Sequence, residues 1–246
     1  MILTSRDLPV PERALAVGAH PDDVEFGAGA TLARWAAAGC EVSILVCTDG
    51  SKGSWDPDAD RTELVRTRAA EQRAAAEALG ARGEVVMLGR VDGDLVADRD
   101  AISEVAAWIR RLRPDVLFGH DPWRRHRLHP DHRAAGTIAV DALVAARDPH
   151  FFPEHGLEHH RPGALLLFEA DVASHVESAR AEDVERKIAA LEEHRSQYET
   201  TMFINEGDEG GERERFRRRI RDRAAECGRP AGRAHAELFA RLATDR

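Results

Sequence analysis

Ala14-Leu15-Ala16-Val17-Gly18-Ala19-His20-Pro21-Asp22-Asp23-Val24-Glu25 is the stretch that decides the fold. An apolar run of strand length ends in a turn that carries an imidazole and three carboxylates, and a helix begins at about Asp23. A strand feeding straight into a helix sets His20 and Asp23 at the carboxyl edge of a sheet, where open α/β folds keep their sites. Farther along, residues 115–119 read as another strand, and His129-Pro130-Asp131-His132 starts another helix. Two such turns at one sheet edge can bring three metal ligands together.

Outward from these turns, strands are expected at 14–19, 41–48, 84–88, 115–119 and 164–169, and helices at 24–38, 61–79, 101–112 and 131–146. Gly39 and Gly80 end the first two helices in the C-cap manner. The alternation predicts a Rossmann-like, mostly parallel sheet with helices on both faces, a three-layer α/β/α fold. The 246 residues suit one domain, 1–246, with an extension from about 170 closing over the sheet. That extension is expected to hold a helix from 181 to about 197, a polar mobile loop at 205–211, and a last helix from about 234 to 242.

Composition narrows the function classes. A formal charge of −9 argues against a nucleic-acid partner, because phosphate affinity comes from clustered cations. The basic stretch from Arg213 to Arg223 is interleaved with Glu212, Glu214 and Asp222 and reads as a solvated helix face. Three cysteines, Cys40, Cys47 and Cys227, form no CxxC pair and no even framework, so a reducing cytoplasm is expected. No apolar segment approaches the roughly 18 residues needed to cross a bilayer, which excludes a membrane-spanning role. The oligomeric state is not legible.

The chemistry of the two turns is that of a metal-activated water. Two histidines and a carboxylate that leave one position open make a catalytic rather than a structural zinc site. A neighbouring carboxylate then serves as general base, and a further histidine meets the developing oxyanion as an imidazolium. Fe²⁺ or Co²⁺ also suits such a donor set. The plain alternative for Asp22 and Glu25 is a helix capping box, and for Pro130 and Asp131 an ordinary helix start. Neither accounts for His20.

AHPDDVE at 19–25 together with HPDH at 129–132 resembles the PIG-L or LmbE-like family of deacetylases, which remove the acetyl group of N-acetylglucosamine-type amides. The similarity extends through Thr48-Asp49-Gly50, Arg68-Ala69-Ala70-Glu71, Ala78-Leu79-Gly80, Asp92-Gly93 and His194-Arg195-Ser196-Gln197. The resemblance implies His20, Asp23 and His132 as zinc ligands and Asp22 as general base. It also implies His129 as oxyanion stabiliser, oriented by Asp131, and Arg68 and Asp92 as sugar contacts. The chain lacks a tyrosine near residues 120–128, where some family members carry one, so His126 and Arg127 are candidates for that polar contact, with an exposed loop residue as the plainer reading of each, and Trp123 is a candidate face for the ring, with packing as its alternative.

The expected function is therefore zinc-dependent release of acetate from a small N-acetylated amino sugar or glycoconjugate. A metal-dependent hydrolase of a non-sugar amide or ester is the alternative on the same scaffold. A nucleotide-binding oxidoreductase fits poorly, since the glycines of Gly27-Ala28-Gly29 lie within a helix and miss the GxGxxG spacing. A non-catalytic metal- or ligand-binding protein has no need of Asp22 and His129.

Overall fold

The computed structural model describes residues 3–244. In chain order the main elements are β1 (Ser5–Arg6), β2 (Arg13–Gly18), α1 (Asp23–Ala37), β3 (Glu41–Thr48), α2 (Arg61–Leu79), β4 (Val85–Arg90), α3 (Arg99–Leu112), β5 (Val116–His120), α4 (Pro130–Arg147), β6 (Ala164–Phe168), β7 (His175–Ala179), α5 (Ala181–Glu193), α6 (Gly211–Gly228) and β8 (His235–Ala243). The eight strands form one sheet in the order β1-β7-β8-β6-β5-β2-β3-β4. β8 runs antiparallel to β6 and β7, whereas the other pairings are parallel.

Strand alternation splits the core into two layers. Leu15, Val17, Leu45, Leu117, Leu165 and Leu167 pack against α3 and α4, while Ala14, Ala16, Ile44, Val46, Phe118, Leu166 and Phe168 pack against α1 and α2. The sheet is thus covered on both faces, the three-layer arrangement expected. β2 connects to β3 on one side and lies beside β5 on the other, so the strand order reverses between β2 and β5. A crevice opens at the carboxyl ends of strands at such a point. Gly18 and His120 end those two strands.

The tail departs from its sequence reading. Residues 235–243, expected as a helix, form β8, whose ladder bonds to β6 and β7 override a helical apolar spacing. Phe239 is fully buried against Phe118 from this strand, with ring centroids 5.6 Å apart. The helix expected to reach 197 ends at Glu193, because His194 leaves helical geometry and its ring is buried. The segment after 170 extends the sheet through β7 and β8 and packs α5 against α1 and α2. The Arg213–Arg223 stretch lies in α6, with Phe216 and Ile220 inward and its charges paired at the surface.

Candidate active site

The turn after β2 is built by Asp23, whose Oδ2 accepts the backbone N–H groups of His20 (2.7 Å) and Ala19 (3.1 Å). Asp22 precedes the helix with φ +103°, a backbone strain that costs about 1–3 kcal/mol in a residue with a Cβ. Its side chain does not cap the helix, and Glu25 is fully buried against Gln72, so no capping box forms. The strain points the Asp22 carboxylate into a cleft of about 510 Å³. On the other side of the switch point, Gly136 lets α4 approach β5, since a Cβ there would lie 2.6 Å from the His120 carbonyl oxygen. That approach carries the first turn of α4, with His132, to the same strand end.

Asp23 is the centre of the cluster. Its Oδ2 lies 3.3 Å from His20 Nδ1 and 3.2 Å from His120 Nε2, and its Oδ1 lies 3.2 Å from His132 Nε2. The His129 ring sits 4.6 Å from that of His20 and 4.8 Å from that of His132, centroid to centroid. Burial would raise the Asp23 carboxyl, but the His132 and His120 charges hold it well below the ordinary value. Burial likewise opposes a charged His20, yet Asp131, Asp23 and Asp92 outweigh it and push the ring up to about 12. Mixed imidazole and carboxylate donors converging with an excess of negative charge fit a divalent cation of zinc type. Moreover, the far nitrogen of His20, Nε2, meets Asp131 Oδ2 at 3.1 Å and Asp92 Oδ1 at 3.2 Å, the carboxylate backing that metal-ligating histidines usually have.

Asp22 is the carboxylate best placed as a base. Burial pushes it up to about 6, against the pull of the Arg68 guanidinium. His129 is pushed below its ordinary value by partial burial and by the charges of His20 and His132, a direction that works against the imidazolium expected from sequence. Asp131 does not orient that ring through its carboxylate. The fully buried carboxylate accepts from His20 Nε2, Gly93 N (2.6 Å) and Leu95 N (3.3 Å), and its link to His129 is a backbone N–H donated to Nδ1. The correction has a simple cause: Asp131 sits inside the first turn of α4, facing the sheet edge, while His129 precedes the helix at the rim.

Of the expected substrate residues, Asp92 and Arg68 line the cleft, whereas Trp123 and His126 do not. Trp123 and His126 are both exposed, His126 with φ +56°. Arg127 is buried, bonded to Glu169 at 2.6 Å. Arg68 is spent largely on the carbonyls of Pro21 (2.6 Å) and Gly50 (3.1 Å). In place of Trp123, the wall is completed by Trp55, Lys52, Gln197, Thr200 and Thr201. The 205–211 stretch is a turn whose Asp208 caps the start of α6, and it does not line this cleft.

Sequence reasoning missed His120, Glu169 and His194. His120 is 1% exposed, has its Nε2 3.2 Å from Asp23 Oδ2 without a hydrogen bond between them, and is backed by Glu169 at 3.3 Å; burial would raise the Glu169 carboxyl, but His120 and Arg127 hold it at about 2. The signal was available, because His120 ends its strand as His20 follows β2. Glu169 ends an expected strand and His194 opens a quoted motif, but what each meets is set by the sheet order and the packing of α5.

A family model described as PIG-L, GlcNAc-PI de-N-acetylase, matches residues 15–143, just over half of the chain. A diacetylchitobiose deacetylase of Thermococcus kodakarensis is 30% identical over 201 residues, covering 76% of this chain and 70% of its own length. A 1D-myo-inositol 2-acetamido-2-deoxy-alpha-D-glucopyranoside deacetylase of Streptomyces avermitilis is 36% identical over 175 residues, 61% of this chain and 59% of that protein. Among solved structures, the N,N'-diacetylchitobiose deacetylase of Pyrococcus horikoshii matches with a TM-score of 0.84 at 25% identity, over 95% of this chain and 84% of the other.

Proposed function

Because the chain belongs to the PIG-L family of de-N-acetylases, we propose that it hydrolyses the acetamido group of a small N-acetylglucosamine-containing sugar with a bound zinc ion. The observation that carries this reading is a buried, strained Asp22 beside a carboxylate, Asp23, that is shared by histidines from two remote turns. His20, Asp23 and His132 would hold the ion. When bound, such a cation lowers the pKa of water and polarises an acyl oxygen.

Asp22, ionised at neutral pH, takes the proton of the attacking water as its oxygen adds to the acyl carbon. His129, at the rim beside His20 and His132, donates an N–H toward the oxygen on which charge develops. The C–N bond then breaks, the amine leaves with the proton that Asp22 accepted, and acetate is the second product. Asp131 and Asp92 keep His20 in one orientation from behind. Trp55 offers a ring face, and Lys52 with Gln197 and Thr200 offers polar contacts to hydroxyl groups.

We read the whole chain as one domain, since β7 and β8 continue the sheet that carries the site. Among the described residues no helix is long and apolar enough to cross a membrane, and the three buried cysteines are unpaired, which supports a reducing, cytoplasmic setting. The test is acetate release by zinc-loaded protein from diacetylchitobiose, an N-acetylglucosaminyl inositol and an acetyl-lysine peptide. A kcat/KM higher for the sugars supports the proposal. A preference for the peptide overturns the substrate class while leaving the hydrolytic chemistry.

A further inference from the structure

Arg68 and Gln72 share one face of α2, and the His194-to-Gln197 turn packs beside that helix. They meet beneath Asp22. Residues 68 and 72 are one helical turn apart and point the same way. Between them they grip a single peptide unit, since the Pro21 carbonyl accepts from Arg68 at 2.6 Å and the Asp22 N–H donates to Gln72 Oε1 at 3.1 Å. The orientation of that peptide sets the φ of Asp22, the +103° that a residue with a Cβ adopts only under constraint.

Gln72 is itself locked. Its Nε2 donates to Glu25 Oε1 at 2.7 Å, and the other oxygen of Glu25 faces His194 Nε2 at 3.6 Å; Gln72, Glu25 and His194 are all fully buried. These partners fix the amide orientation, because the oxygen must face the Asp22 N–H and the nitrogen the Glu25 carboxylate. Next to it, Glu71 accepts from Ser196 N (2.8 Å) and Oγ (2.6 Å), which docks the turn that carries Gln197 to the cleft.

We propose that Gln72 is a positioning residue for the hydrolysis: buttressed by Glu25 and His194, it holds the Pro21–Asp22 peptide so that Asp22 aims its carboxylate at the water beside the cation site. The inference rests on Asp22 being the base. Gln72 touches neither the substrate nor the cation site. Its effect should therefore fall on kcat and leave KM and metal content alone.

The experiment is a double-mutant cycle on the zinc-loaded protein with diacetylchitobiose. Gln72→Met keeps length and helix propensity but cannot accept the Asp22 N–H, and a displaced catalytic group should lower kcat by about 10- to 100-fold. KM within twofold and one metal equivalent are expected. In an Asp22→Asn background the same change should cost less than twofold, because the two residues act as one unit. Gln72→Asn, one methylene short of Asp22, repeats the cycle if Gln72→Met yields little folded protein. Should Asp22→Asn be slow while Gln72→Met keeps full kcat, the positioning role falls alone. Should Asp22→Asn keep full rate, the base assignment falls and the positioning role with it. Equal losses for the Gln72 variant in both backgrounds would reduce Gln72 to general stability and overturn the proposal.

Discussion

Asp131→Asn separates two roles for a carboxylate that has no exposure at all. Three donors converge on it: His20 Nε2 and Gly93 N on Oδ2, and Leu95 N on Oδ1. An asparagine can keep its oxygen at the Oδ2 position, but its NH2 then confronts the Leu95 N–H, and the bond to His20 loses its charge. The facing donors cost about 1–3 kcal/mol of stability. Loss of the carboxylate behind a ligating histidine lowers metal affinity roughly 10- to 100-fold, which is about 1.4–2.8 kcal/mol. Zinc affinity measured by competition with a chromophoric chelator, alongside urea unfolding, reads both effects. An unchanged affinity combined with a large fall in kcat would refute this reasoning and return Asp131 to His129.

Three further outcomes follow from the same structure. Arg110, 4% exposed, donates to the carbonyls of Ala145, Ala146, Asp148, Phe151 and Phe152, so Arg110→Met should destabilise by about 3–5 kcal/mol in urea titrations while the folded fraction keeps its kcat; a loss under 1 kcal/mol would contradict that role. His20 is raised from 6.5 to about 12 by its carboxylates, so in metal-free protein the stability it confers is fully present below pH 6.5 and is lost as pH rises toward 12. A cation has to displace that proton, so calorimetry in buffers of different ionisation enthalpy should record at least one proton released per zinc at neutral pH, and none would show that His20 is not a ligand. Trp55→Ala should raise KM about fivefold, for roughly 1 kcal/mol of ring contact, and Trp123→Ala should leave it unchanged; the reverse pattern would restore the wall expected from sequence.

The sequence by itself determined the parallel core, because residues 14–19 and 115–119 are apolar runs cut by polar turns, and that contrast is local. It also named His20, Asp22, Asp23 and Asp92, which stand within a few residues of strand ends, and His132, which stands in the first turn of α4, so that each inherits its place from a neighbouring element. Only the tertiary structure decided the rest. Residues 235–243 became a strand because β6 and β7 offered two ladders, an energy that no window of nine residues contains. Trp55 rather than Trp123 faces the cleft because loop direction depends on the packing beneath it. Asp131 turned to His20, and Gln72 to Asp22, across separations of 111 and 50 residues. Such pairings arise from sheet order, which brings distant strand ends to one edge, and a sequence pattern carries no measure of that proximity.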